Sequence, residues 1–89
     1  MLIDFDSEKN RSNISKHGVS LALAIELDWD NALVWADARR DYGESRMIAL
    51  VARTEILYYV AFVDRGPIRR IVSLRRANRR EVRHYVKVR

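Results

Sequence analysis

The chain has 89 residues, 48% of them apolar, with no cysteine, one proline and three glycines. That length suits one domain, residues 1–89, with a modest core. It leaves no room for a separate cofactor-binding unit, and the missing cysteines exclude disulfides and thiolate metal sites. The net charge of +5 points to an anionic partner.

Residues 1–5 alternate weakly and are expected as a short first strand. Asp6 or Ser7 then caps a helix that carries Lys9, Lys16 and His17 and ends at Gly18. Ser20 caps a second, well-buried helix over residues 21–27. Residues 28–31 read as a turn, residues 32–36 as a strand, and the polar residues 37–45 as a loop. Three strands follow, at residues 46–53, 56–63 and 68–74, joined by turns at Thr54-Glu55 and Asp64-Arg65-Gly66-Pro67. The second has a continuous apolar run and is expected at the centre of the sheet. Strict alternation in the third would put Ile68, Arg70, Val72 and Leu74 on one face and Arg69, Ile71, Ser73 and Arg75 on the other. Asn78 with Glu81 three residues later is a capping box. It starts a last helix whose stripe Val82, Tyr85, Val86 should dock on the sheet. The fold class is therefore α+β: two N-terminal helices, an antiparallel sheet of about four strands, and a basic C-terminal helix.

Charge divides the chain. Through Asp64 there are seven Lys/Arg against eleven Asp/Glu, a net −4; from Arg65 onward there are ten against Glu81 alone, a net +9. Fourteen of the seventeen basic residues are arginine, whose planar fork matches phosphate. The longest apolar stretch, residues 56–63, is far short of the ~20 residues of a membrane span. The opening residues lack the basic and apolar regions of a signal peptide. A cytoplasmic protein without a membrane role is expected.

Few enzyme signatures are present. The three glycines are too scattered for a phosphate loop, and no His/Asp/Glu set has metal-ligand spacing, so no cofactor and no metal are expected. Arginine, two histidines, tyrosine and Glu81 remain. They can bind phosphate and move protons, which is all that RNA cleavage by the ribose 2′-hydroxyl requires. Lys16, His17, Glu81, His84 and Tyr85 can supply proton transfer; Arg70, Arg75, Arg76 and Arg79 can supply a cation. Arg70 stands out, because an unpaired arginine is costly in an apolar strand and should reach an edge or a site. Two other readings stay open. A non-catalytic nucleic-acid-binding module would use the same arginines for phosphate alone, and an interaction domain would dock its basic helix on an acidic protein.

Two stretches of the sequence resemble the BrnT family of toxins from type II toxin–antitoxin systems. The first is Phe5-Asp6, Lys9, Asn13 and Lys16-His17-Gly18-Val19-Ser20. The second is Arg70-Ile71-Val72-Ser73-Leu74-Arg75-Arg76-Ala77-Asn78-Arg79-Arg80-Glu81, followed by Tyr85; Arg46 matches the basic residue that opens the family's middle strand. The resemblance implies a small ribonuclease with a RelE-like fold. It also implies a BrnA-type antitoxin that neutralises it, with operator DNA bound only through that complex. Carried onto this chain, it places Lys16 and His17 near the site, Arg70 and Arg75 on the phosphate, and Glu81 or Tyr85 assisting. Arg46, Arg76, Arg79, Arg80 and Arg83 are left to bind RNA.

Overall fold

The computed structural model describes residues 1–89 apart from Arg40 and Tyr42, which fall in the loop expected at 37–45 and lie outside the described residues. In chain order the elements are β1 (Leu2–Asp4), α1 (Ser7–His17), two 3₁₀ helices (Leu21–Glu26 and Trp29–Asn31), β2 (Leu33–Ala36), β3 (Met47–Arg53), β4 (Ile56–Arg65), β5 (Ile68–Arg76) and α2 (Arg79–Val88). The strands form one sheet in the order β1-β5-β4-β3-β2. The expected four-stranded antiparallel meander is present, and β1 adds a fifth strand, parallel to β5. Local turn signals cannot reveal that pairing, because its two partners lie at opposite ends of the chain.

The second N-terminal helix is 3₁₀ rather than α, and its sequence explains why. Leu21 and Ala24 within it and the C-cap Leu27 are buried. They recur every three residues, the period of a 3₁₀ helix. Ser20 caps it as expected, accepting from the Ala22 N–H. The turn expected at 28–31 contains a single 3₁₀ turn, from which the Trp29 indole N–H reaches the Ala24 carbonyl at 2.8 Å.

β4 occupies the sheet centre, as its apolar run implies. Tyr58, Val60 and Phe62 pack with Ala49, Val51, Ile71 and Leu74 against the first 3₁₀ helix and form the main core. Ala61 and Val63 are buried on the opposite face, beside Ile48 and Leu50.

Strict alternation fails in β5. The ladder shifts register so that Ile71 pairs with Phe62 but Ser73 pairs with Ala61, leaving Val72 as the extra residue of a bulge. Ile71 and Leu74 therefore share the core face, whereas Arg70, Ser73 and Arg75 share the other. The bulge takes Arg70 away from Leu74 and out of the core.

α2 starts at the expected capping box, with reciprocal Asn78–Glu81 hydrogen bonds of 2.9 Å. Its docking differs from the expectation. Val82 and Val86 remain exposed, and no residue of α2 is buried. The helix instead crosses the second face through Glu81 at Arg75 of β5, His84 at Trp35 of β2, and Tyr85 at Asn31.

Candidate functional site

α1 is almost wholly polar. Asp6 caps it by accepting from the Glu8 N–H at 3.1 Å, and Gly18 closes it at φ +74°, donating to the Ile14 carbonyl. A positive φ costs glycine little. Asn13 is the one buried residue of the helix, so hydrogen bonds rather than an apolar stripe attach it to the sheet. The Asn13 amide donates to the Leu74 carbonyl at 2.7 Å and to the Val19 carbonyl at 2.9 Å, and its oxygen accepts from the Leu74 N–H at 3.1 Å. One turn earlier, the Asn10 side-chain oxygen accepts from the Leu21 N–H at 2.7 Å.

This attachment lays one face of α1 along β5. Lys9, Ser12, Asn13, Lys16 and His17 recur at helical spacing. With Val72 and Ser73 of β5 they line an open cleft of about 220 Å³. No carboxylate is in that lining. Two ammonium groups and an imidazole thus face a cleft with a hydroxyl on its other wall, which suits a phosphate and provides a group able to carry a proton.

A second cluster holds Arg75 and Glu81. Arg75 donates through both terminal nitrogens to the Glu81 carboxylate at 2.8 Å, and its guanidinium lies 4.1 Å from the Tyr59 ring centre. Burial pushes the Glu81 pKa up, but hydrogen bonds from Arg75 and the Asn78 backbone, with the charge of Arg75, outweigh it and hold it below its ordinary value. The hydrogen bond to Glu81 raises the pKa of Arg75 against the opposing effect of burial, and the Glu81 charge adds to the rise. Arg70 has a separate partner: Nη1 donates to Asp4 at 2.6 Å across the parallel β1–β5 pair. The arginine of the apolar strand is thus ion-paired one strand in from the sheet edge, at the last position of the β1–β5 pairing.

The structure brings Lys16 together with His17, and Arg75 together with Glu81. Arg70 lies on the same sheet face as Arg75 but in its own ion pair. Tyr85 is elsewhere. Its hydroxyl donates to the Asn31 carbonyl at 3.3 Å, and Arg89 donates to that carbonyl and to the Tyr85 hydroxyl, both at 2.6 Å. Arg76, Arg79, Arg80 and Arg83 are exposed around α2, and Arg46 is half-buried just before β3. Lys9 and Ser73 were not among the candidates. Lys9 was legible as the i−7 partner of Lys16 on one helix face, but Ser73 reaches the cleft only through the bulge. Among the described residues no three His, Cys, Asp or Glu converge as metal ligands, and no helix is long and apolar enough to cross a membrane.

A family model described as the ribonuclease toxin BrnT of type II toxin–antitoxin systems matches residues 5–81. The chain belongs to the BrnT family. That span contains α1, the cleft and the Arg75–Glu81 pair. The crystal structure of the Brucella abortus ribonuclease toxin BrnT is similar over 89% of this chain and 99% of its own, with a TM-score of 0.68 and 26% identity. No curated protein sequence matches the chain. The BrnT family is one of ribonuclease toxins, so an antitoxin partner and an RNA substrate follow at the level of the family.

Proposed function

We propose that this BrnT-family chain is a metal-independent endoribonuclease that takes the scissile phosphate into the cleft between α1 and β5. One observation carries the reading: Lys9, Lys16 and His17 meet Ser73 in a cleft whose lining has no carboxylate. The 2′-hydroxyl gives its proton to a base, O2′ bonds to phosphorus, and the bond from phosphorus to O5′ breaks as an acid protonates the leaving oxygen. The products are a 2′,3′-cyclic phosphate and a 5′-hydroxyl. His17 carries the proton, and the two ammonium groups oppose the charge that develops on phosphorus.

Arg70 and Arg75 hold flanking phosphates from the sheet face that Ser73 shares, with Glu81 fixing the orientation of Arg75. Arg46, Arg76, Arg79, Arg80 and Arg83 add phosphate contacts that carry no sequence information. Tyr85, tied to Asn31, fastens α2 instead of moving a proton. The cytoplasm is the place of action, where a BrnA-type antitoxin occludes the basic surface and operator DNA is reached only through the complex.

The test is cleavage of total RNA by the purified chain and by Lys16→Ala and His17→Ala. Each substitution is expected to slow cleavage about 10²–10³-fold with the melting transition retained. RNA binding without cleavage by the wild type would favour the non-catalytic module, and full activity in both variants would remove the cleft from the mechanism.

A further inference from the structure

The two tryptophans sit in different surroundings. Trp29 bonds Ala24 through its indole N–H and packs edge-on against Phe62, with ring centres 5.5 Å apart. Trp35 stands on β2, one of the two edge strands, and is 37% exposed. Among the described residues its indole N–H meets no acceptor. Tryptophan is highly buried on average, and an exposed one with a free N–H is a feature of binding surfaces.

Strand pairing puts Trp35 in a defined relation to the cleft. Trp35 pairs with Ile48, Ile48 with Ala61, and Ala61 with Ser73, so all four share one row on one face of the sheet. Three strand spacings separate the ends, about 14 Å, and Ser73 lines the cleft. The ring of Trp35 meets Tyr59 and His84 edge-on, at 6.5 and 6.2 Å between centres. Tyr59 is in turn covered by Arg75. The exposed aromatic thus adjoins the segment that carries +9.

We propose that Trp35, backed by Tyr59, is a stacking platform for a base of single-stranded RNA whose backbone reaches the cleft. This rests on the ribonuclease reading above. The occupant follows from chemistry. The arginines call for a polyanion, and a partly exposed indole favours a polyanion with flat apolar faces. Single strands offer such faces, whereas duplexes keep theirs stacked. Stacking tolerates any base, so the platform grips the substrate without selecting its sequence.

The experiment follows tryptophan emission as the full chain is titrated with a 2′-O-methyl RNA oligonucleotide, whose capped hydroxyl cannot attack, and separately with inorganic polyphosphate. The oligonucleotide should quench the emission, and Trp35→Phe should remove most of that quench while keeping near-native affinity. Trp35→Ala should weaken oligonucleotide binding about 5- to 100-fold and leave polyphosphate binding unchanged, which also shows the basic surface to be intact. Equal oligonucleotide affinity in wild type and Trp35→Ala overturns the platform and leaves the ribonuclease reading standing. Parallel loss of polyphosphate binding in Trp35→Ala also overturns it, because Trp35 then only holds α2 in place. A wild-type chain that neither binds nor cuts RNA overturns both.

Discussion

Asn13 does with one amide what a longer neighbouring strand would otherwise do. β1 pairs with β5 only as far as Arg70, and both backbone groups of Leu74 would lack partners without Asn13. An unsatisfied buried polar group costs about 1–3 kcal/mol. Asn13→Leu should therefore lower the unfolding free energy by about 2–5 kcal/mol in a denaturant titration; a loss under 0.5 kcal/mol would mean that α1 is attached otherwise. Glu81 makes a second prediction. Its folded pKa is depressed, so its contribution to stability is present above the ordinary value of about 4.3 and is lost as pH falls through the lowered folded value. Melting temperature should drop as pH falls below about 4.5, and Glu81→Gln should blunt that drop. An identical acid limb in the variant would contradict the pair's role. Asn13 was visible in the sequence as one residue of a motif. Its role was not, because no local pattern ties an amide to a strand 61 residues away. The Asn78–Glu81 box was legible in full, since both partners lie within one turn.

At the scale of elements, both α-helices are held by polar contacts, and this is where sequence patterning misleads. A stripe such as Val82, Tyr85, Val86 normally marks the docked face, yet α2 leans on the sheet through Arg75–Glu81, His84–Trp35 and Tyr85–Asn31. Its amides should exchange with solvent well before those of β4, which is buried on both faces; equal protection would contradict this picture. The strands were read to within two residues at each end, because alternation and turn residues are local, although Asp64 and Arg65 of the expected turn extend β4. The bulge was not, since an extra residue leaves no mark in composition. One turn carries strain that the sequence does not announce. Thr54, at the β3–β4 turn, has φ +54°, where a β-branched residue is disfavoured. Thr54→Gly should raise stability by about 1 kcal/mol, read from the thermal midpoint; destabilisation would show that the Thr54 hydroxyl bond to the Arg53 carbonyl outweighs the strain.

For the whole molecule, the charge division of the sequence becomes a division of surfaces. Exposed arginines gather around the end of β5 and α2, while the cleft between α1 and β5 has its own lysines and histidine. Association with the antitoxin that the family implies should slow at least tenfold as ionic strength rises from low to molar salt, because steering between charged surfaces is screened beyond about 8–10 Å. A salt-independent rate would place the interface away from the arginines. Composition and order made the α+β class and the basic end legible. That Lys16 and His17 line a cleft against β5 while Arg75 is paired with Glu81 emerged only with the fold, since it depends on where each helix meets β5. In the proposed mechanism RNA is cut by its own 2′-hydroxyl with no metal ion. Matched RNA and DNA oligonucleotides incubated with the protein in excess EDTA, followed by end-group analysis, test it most directly. The RNA should be cut to 2′,3′-cyclic or 3′-phosphate ends while the DNA survives. Cleavage that stops in EDTA and returns with magnesium, or efficient cutting of the DNA, would contradict it.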